Sequence, residues 1–334
     1  IMPAIVSGLI EALGFNNQQA GAVASANMYG AAFGALSIVA FVRKLDWQKI
    51  SVLFLHTRIT IDIASKFITN PAVLTSVRFV HGFSGGMLVG TGFSVMSRTA
   101  EPDRSFGMLL VVQFGLGGLG VMLIPSLVPI FGTAVLFLSL VAFSFVTLLM
   151  LPFLPSYPQS TQRENRTTGQ GTGMARIPLG LTLLSIFLFQ AANMGLYAYI
   201  IGLGEFYGLE LGFISATLGP AAWLGLAGAG LVVVASDRLG YLKSLAAGIL
   251  LTTIGTWGFF YSDVHWVWIT ANCLIGITWA YAIAYLLGLM SRFDSSGQMA
   301  ALGGFASKMG LASGPAFAAY LLGENNYPLI TWAA

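Results

Sequence analysis

Residues 133–154 read TAVLFLSLVAFSFVTLLMLPFL, a run without a single charged side chain. An α-helix of about 20 apolar residues rises roughly 30 Å, which matches the hydrocarbon thickness of a bilayer. The strands of a membrane barrel are shorter and alternate apolar with polar residues, and this run does neither. The segment therefore predicts a transmembrane helix.

The composition of the whole chain agrees with that interpretation. Among its 334 residues, 56% are hydrophobic and 8% are charged, whereas a soluble domain carries roughly 25% charged residues. So few charges could not cover the surface of a water-soluble fold. The composition excludes a soluble enzyme, a disordered chain and a nucleic-acid-binding domain, and the single cysteine, Cys273, excludes an internal disulfide. We predict an all-α polytopic membrane protein.

Other apolar runs divide the chain into twelve predicted spans. They cover residues 1–13, 18–42, 50–68, 73–96, 105–128, 133–154, 177–204, 211–235, 241–261, 265–290 and 298–322, with a last span that starts near 327. The chain begins and ends inside apolar runs, so we expect spans 1 and 12 to be truncated.

The charges of the connecting loops predict the orientation. Basic residues follow the even-numbered spans: Arg43, Lys44, Lys49, Arg98, Arg104, Arg163, Arg166, Arg176, Arg238, Lys243 and Arg292. The loops after the odd-numbered spans hold Glu205, Glu210, Asp263, His265 and Glu324. Because Lys and Arg gather on the cytoplasmic side, we expect the even-numbered loops to be cytoplasmic and the protein to be a multi-pass protein of the cell (inner) membrane.

A polar segment and a weak repeat divide the chain in two. Residues 155–176 are rich in Ser, Thr, Gln and Gly and predict a flexible cytoplasmic linker between an N-terminal half, 1–154, and a C-terminal half, 177–334. At an offset of 194 residues, Gly34 matches Gly228, Gly82 matches Gly276, and Met96-Ser97-Arg98 matches Met290-Ser291-Arg292. Two halves of one orientation predict a pseudo-two-fold axis along the membrane normal, which suits alternating access.

Three motifs resemble those of the major facilitator superfamily. The loop Asp237-Arg238-Leu239-Gly240-Tyr241-Leu242-Lys243 is similar to the family's Asp-Arg-x-Gly-x-x-Lys/Arg loop after span 8. Span 4 carries Arg78 and Gly82 in an Arg-x-x-x-Gly pattern, and span 5 carries a glycine-rich run, 115–120, followed by Pro125. The resemblance covers essentially the whole chain. It implies a twelve-helix fold made of two pseudo-symmetric six-helix halves.

The resemblance also implies a role for the cytoplasmic loops. In that family the loop after span 8 latches one conformation, and its counterpart after span 2 is a degenerate copy here. The gating candidates are Asp237, Arg238, Gly240, Lys243, Arg43 and Lys44. The alternative is a solvated loop whose charges only set the topology.

Polar side chains follow one face of spans 4, 7 and 10, which the resemblance places around the transport path. The stripes are Arg78, His81 and Gly85; Gln190, Asn193 and Tyr197; and Thr278, Tyr281 and Tyr285. Polar groups inside a span are costly unless they have a partner or face water. We expect His81, Gln190, Asn193, Tyr197, Tyr281 and Tyr285 to contact the substrate, the alternative being hydrogen bonds between helices.

Charged residues inside spans provide further candidates. Lys308 lies in the middle of span 11, and we expect it to bind an anionic substrate group, with Gln113 of span 5 opposite; the alternative is an ion pair with Asp62, Glu11 or another acid. On span 3, the spacing of Arg58, Asp62 and Lys66 predicts ion pairs along one helix face. The candidates for proton coupling are His81, Asp62 and Glu11, because a histidine titrates near physiological pH.

These features predict a secondary transporter that moves a small organic solute, such as an organic anion, by alternating access with proton coupling. The alternatives are an uncoupled facilitator and a membrane sensor or assembly protein that does not transport. We expect a monomer in the lipid bilayer with a small-molecule substrate, protons as the coupling ion, no nucleic acid, no cofactor and no metal. The chain has no phosphate-binding Gly-x-x-x-x-Gly-Lys motif and no His-Glu-x-x-His motif, so it is not expected to be an enzyme.

Overall fold

The computed structural model describes residues 2–39, 46–96, 102–154, 176–290, 293 and 298–334. These residues contain no strand, which confirms the predicted all-α class. The helices are α1 (Met2–Leu13), α2 (Asn17–Val39), α3 (Trp47–Ser65), α4 (Pro71–Met96), α5 (Pro102–Phe131), α6 (Thr133–Met150), α7 (Arg176–Ala198), α8 (Leu211–Leu239), α9 (Tyr241–Gly258), α10 (His265–Met290), α11 (Gln298–Leu322) and α12 (Tyr327–Ala333). They correspond one by one to the twelve predicted spans. A short helix, Ile200–Phe206, continues α7 and is called the α7 extension below.

Within the described residues, seven helices are long and apolar enough to cross a membrane by length and composition: α4 to α10. Helix α3 falls outside this set because it carries His56, Arg58 and Asp62. Helices α2 and α11 are rich in small residues instead of large apolar ones, as expected of helices that approach their neighbours closely.

Two of the differences from the predicted spans affect how residues are placed. Span 7 was predicted as continuous, but α7 ends at Ala198 and the backbone leaves helical geometry at Tyr199 (φ −107°, ψ 14°). Helix α3 ends at Ser65, so Lys66 lies in the loop after span 3 instead of inside that span. Residues 155–175 of the predicted linker lie outside the described residues.

Local sequence explains where several helices begin and end. Asp46 caps the N-terminus of α3 by accepting hydrogen bonds from the backbone N–H groups of Gln48 (3.1 Å) and Lys49 (3.4 Å). The bond from Lys49 is the largest cause of the lowered pKa of Asp46. Gly240 alone connects α8 to α9 with φ +74° and ψ 155°, a conformation open essentially only to glycine.

The glycines of the internal repeat lie against backbone carbonyl groups in both halves. A Cβ added to Gly34 of α2 would lie closer than 3.0 Å to the carbonyl oxygen of Phe83 on α4, and one added to Gly228 of α8 would meet that of Ile277 on α10 in the same way. The partners are also 194 positions apart. The second pair of repeat glycines makes equivalent contacts. A Cβ added to Gly82 would meet the Asn27 carbonyl, and one added to Gly276 would meet the Ala221 carbonyl. The same close packing of α2 on α4 and of α8 on α10 therefore occurs in both halves.

The two halves meet along α2 with α11 and α5 with α8. We call the end of the molecule that carries the predicted external loops the outer end, and the opposite end the inner end. One cluster of buried apolar side chains joins both halves toward the outer end, from Leu9, Phe15 and Leu74 to Leu203 and Trp268. Hydrogen bonds also join the halves. Asn17 Nδ2 donates to the carbonyls of Gly323 and Glu324 at the outer end, and Tyr29 bonds to Ser313 nearer the middle of α2.

Replacing Gly228 by alanine tests the close contact of α8 with α10. The added methyl meets a backbone carbonyl that cannot move without shifting a helix, so we expect a loss of stability in the range of about 1–3 kcal/mol. Thermal unfolding of the purified protein should show a melting temperature lowered by several degrees.

Gly230→Ala is the matched control, because a Cβ at that position has no neighbour within 4 Å. Alanine favours a helix over glycine by roughly 1 kcal/mol, so the control should be as stable as the wild type or more so. Equal melting temperatures for the two variants would contradict the close packing.

Candidate functional site

A cavity of about 410 Å³ lies where α5 of the N-terminal half meets α7, α8 and α10 of the C-terminal half. Its lining residues are Gln113, Phe114, Gly117, Gly118, Asn193, Met194, Tyr197, Leu218, Ala221, Ala222, Asn272, Ile275, Gly276 and Trp279. The walls are mostly apolar, with a few amide, phenol and indole groups. Such a combination is typical of a site for a small organic molecule.

The helix backbone fixes the orientation of two cavity amides. Asn193 Nδ2 donates to the carbonyl of Phe189 at 2.8 Å, and Asn272 Nδ2 donates to the carbonyl of Trp268 at 2.9 Å. Their Oδ1 atoms make no hydrogen bond to the described residues, so the amide oxygens remain available as acceptors.

Trp279 is one of the aromatic residues at which the two halves meet. Its ring lies edge to face with Phe114 of α5, with the centroids 6.4 Å apart. Trp279 Nε1 donates to Gln190 Oε1 at 2.8 Å, and Gln190 Nε2 donates to Ser307 Oγ at 2.7 Å. A chain of hydrogen bonds thus runs from the cavity wall on α10 through α7 to α11.

The predicted polar stripes are divided between the cavity and the interior of each half. Gln113, Asn193 and Tyr197 line the cavity, and Gln190 lies behind Trp279. Tyr281 and Tyr285 lie against each other, with ring centroids 4.9 Å apart, on the side of α10 that packs on Gly248 of α9. In the same stripe, Thr252 of α9 donates to Thr278 at 2.9 Å.

A network of buried charges connects α2, α3 and α4. Asp62 is fully buried and accepts from Arg78 at 2.5 Å and from His81 Nε2 at 3.2 Å. Asn27 Nδ2 donates both to the carbonyl of Arg78 and to His81 Nδ1. Because that carbonyl can only accept, the Asn27 nitrogen is a donor, which makes His81 Nδ1 the acceptor and leaves the proton on Nε2.

This network differs from the ion pairs predicted along α3. The partners of Asp62 lie on α4, because the helix face that carries Asp62 is turned into the N-terminal half instead of toward lipid. The guanidinium of Arg78 also lies over the ring of Phe137 on α6, 5.6 Å from its centroid. Neither Asp62 nor His81 lines the central cavity.

A second cavity, of about 620 Å³, opens at the outer end between α1, α2, α7 and the loop before α12. Its polar lining includes Glu11, Glu205, Glu324, Asn16, Asn17, Gln18 and Asn325. The hydroxyl of Tyr199 lies 2.9 Å from the Asn17 carbonyl and 3.3 Å from that of Pro315 at the bottom of this cavity. Partial desolvation by the surrounding protein, together with the negative charge of Glu11, raises the pKa of Glu205, although its side chain is exposed.

The remaining predicted residues lie elsewhere. Lys308 is half-buried on α11, at the residue after Ser307. Arg43 and Lys44 lie outside the described residues, as do the side chains of Asp237 and Arg238, so their gating roles stay predictions. Lys243 is exposed at the start of α9. In the part of the chain that the structure describes, no group of three His, Cys, Asp or Glu side chains could hold a metal.

Three aromatic or amide residues of the cavity are absent from the predicted site: Phe114, Asn272 and Trp279. On α10, Asn272, Gly276 and Trp279 recur at i, i+4 and i+7, which is one helix face. That periodicity, starting from the only amide of the helix, could have identified the cavity side. The neighbouring stripe of Thr278, Tyr281 and Tyr285 contains more polar groups, and this favours it as the cavity side when only the sequence is considered.

Comparisons with known proteins agree with this architecture. The family model described as the Major Facilitator Superfamily matches residues 1–332. The nucleoside transporter NupG has a TM-score of 0.70 and 14% identity, over 99% of this chain and 90% of that one. The D-xylose-proton symporter has a TM-score of 0.73 and 13% identity, over 99% and 91%.

A bacterial homologue of the human lysosomal transporter Spinster, in an inward-facing and unoccupied conformation, has a TM-score of 0.71 and 12% identity, over 96% of this chain and 79% of that one. At these identities the likeness shows the fold. No curated protein matches the chain significantly.

Replacing Asp62 by asparagine tests the buried network. The variant leaves the Arg78 guanidinium, which is 4% exposed, without its counter-charge, and breaking a buried ion pair costs about 3–5 kcal/mol. We expect a melting temperature lowered by several degrees, and partial recovery in Asp62→Asn/Arg78→Gln. Asp263→Asn, at an exposed aspartate of the outer end, is the control; equal effects at both sites would refute the role of the network.

Replacing Glu205 by glutamine tests the outer cavity. A carboxyl with a raised pKa favours the folded state when protonated, so its contribution is present below the ordinary value of 4.5 and is lost as the pH rises through the raised value. Between pH 4 and 7, the melting temperature of the wild type should therefore fall more than that of Glu205→Gln. Glu210→Gln removes another exposed carboxylate nearby and should retain the wild-type dependence; identical curves for all three proteins would contradict the partial desolvation of Glu205.

Proposed function

The chain belongs to the major facilitator superfamily, and from this we propose that it is a secondary transporter that moves a small polar organic solute through the cavity between its two halves. Membership of the family and the apolar helices make it a multi-pass membrane protein. Its placement in the inner membrane with the even-numbered loops in the cytoplasm stays a prediction from the loop charges.

The observation that carries the proposal is the composition and position of the 410 Å³ cavity. Residues from both halves line it, so a bound solute would contact both halves at once. Phe114, Tyr197 and Trp279 offer ring faces, while Asn193 and Asn272 offer amide oxygens that can accept hydrogen bonds. These groups suit a compact solute with an apolar or ring-shaped body and hydrogen-bond donors.

Alternating access is supported by where the halves touch. The shared apolar cluster and the hydrogen bonds of Asn17 lie toward the outer end. On the α5–α8 side, Trp223 Nε1 donates to the Gly115 carbonyl at 3.2 Å. These contacts support a state that is closed toward the outer end, and transport requires them to open in turn.

The energy source is a separate part of the proposal. Glu11 and Glu205 line the outer cavity, which gives them access to external protons. His81 and Asp62 are engaged in the buried network, so a proton could reach them only if that network rearranged. We propose Glu11 and Glu205 as the first residues to test for coupling, and the uncoupled facilitator as the alternative.

Counterflow into proteoliposomes, with radiolabelled uridine, D-xylose and nicotinate as probes, tests transport. For a probe that accumulates, Trp279→Ala should lower its affinity by at least about tenfold, or about 1.4 kcal/mol, because it removes a cavity wall. Trp266→Ala on the same helix, at a side chain that is 68% exposed, should leave uptake unchanged.

Each outcome separates two functions. Accumulation that rises with an inward proton gradient, and loses that rise in Glu11→Gln or Glu205→Gln, supports coupling. Accumulation that is independent of the gradient supports the facilitator. Binding of a probe without any accumulation would contradict transport and favour the sensor.

A further inference from the structure

Lys308 lies on the side of α11 that faces the other half. Ala312 and Ala319 share its side of the helix and are buried, whereas Phe317, nine residues on and therefore opposite, is 66% exposed. A Cβ added to Gly21 of α2 would lie 2.9 Å from Ala319, so this side is turned toward the N-terminal half. Lys308 lies on the inner side of the Tyr29–Ser313 contact.

The acidic residues that could have paired with Lys308 are placed elsewhere. Asp62 is bound to Arg78 and His81, and Glu11 lines the outer cavity. Among the described residues, no carboxylate lies within 4.0 Å of the Lys308 ammonium. An ammonium inside a span is costly without a partner or water, and the two pairings considered from the sequence are not formed.

Open space lies near Lys308 on α11, and a hydrogen-bond chain from the cavity ends at the residue before it. Gly304, one turn toward the inner end on the same side of α11, has open space where a Cβ would be. Ser307, the preceding residue, accepts from Gln190, which accepts from Trp279 of the cavity wall. Lys308 therefore lies beside the end of the hydrogen-bond chain that begins at the cavity.

We propose that Lys308 binds a carboxylate group of the transported solute, whose organic body occupies the cavity lined by Trp279 and Asn193. This assignment rests on the proposed transport function. A lysine ammonium is a compact charge with three donors on a flexible stem, so it can reach a carboxylate that enters from the inner end. The solute supplies the counter-charge that the described residues do not.

Matched pairs of ligands test the assignment. The purified full chain in nanodiscs is titrated with nicotinate and nicotinamide, benzoate and benzamide, and lactate and lactamide, which differ only in the charge of one group. At least one acid should bind, and its amide should bind at least tenfold more weakly. Lys308→Gln should lose at least tenfold in affinity for that acid, while Lys308→Arg should retain part of it.

Lys66→Gln, at an exposed lysine just after α3, is the matched control and should bind as the wild type does. Lys308→Gln removes a costly charge, so its melting temperature without ligand should not fall. The assignment is wrong if no acid binds, if acid and amide bind equally, or if Lys308→Gln binds the acid like the wild type.

Uptake into proteoliposomes separates this assignment from the transport function. Acid binding that depends on Lys308 without any uptake would keep the assignment and reject transport. Uptake of an uncharged solute that is sensitive to Trp279→Ala and insensitive to Lys308→Gln would keep transport and reject the assignment.

Discussion

Glycine packed directly on a backbone carbonyl sets the spacing of helices within each half. At Gly34, Gly82, Gly228 and Gly276 there is no room even for a methyl group, so α4 lies on α2 and α10 lies on α8 at one fixed distance. Helices in lipid gain little from the hydrophobic effect between them and depend on such close packing. The positions of the cavity residues of α8 and α10 follow from it.

The two halves use the same positions of this framework for different purposes. In the C-terminal half, Ala221, Asn272 and Ile275 line the cavity. Their counterparts 194 positions earlier are Asn27, Arg78 and His81, which form the buried network with Asp62. A charged cluster thus occupies in one half the space that remains open in the other. This asymmetry explains why most residues that line the cavity belong to the C-terminal half. Only α5 of the N-terminal half contributes to the lining.

The sequence predicted the fold better than the site. Length and apolar character identify a span, and the glycines of the repeat proved to be the residues in backbone contact, because small size is what such a contact requires. Tyr281 and Tyr285 were expected in the cavity but lie toward α9, since a hydroxyl inside a span can equally bond to a neighbouring helix. Trp279 was overlooked because an aromatic residue in an apolar run has the composition of a lipid-facing one. The partners of Asp62 depend on which face of α3 turns inward, and no local spacing reveals that.

Contacts between the halves are less close than those within them: a Cβ added to Gly21 or Gly118 would lie 2.9 Å from a carbonyl oxygen of the other half, whereas at the four repeat glycines it would lie closer still. Within a half, each repeat glycine lies directly against a backbone carbonyl with no gap between them. The two helices therefore cannot move apart without losing this contact. Between the halves, side chains such as Asn17 and Tyr29 donate or accept single hydrogen bonds, each of which contributes only about 0.5–1.5 kcal/mol net because water can replace it. Bonds of that kind can be exchanged one at a time. A solute that contacts Phe114 on one side and Trp279 on the other lies between the two halves, where a movement of one half against the other would change its surroundings most.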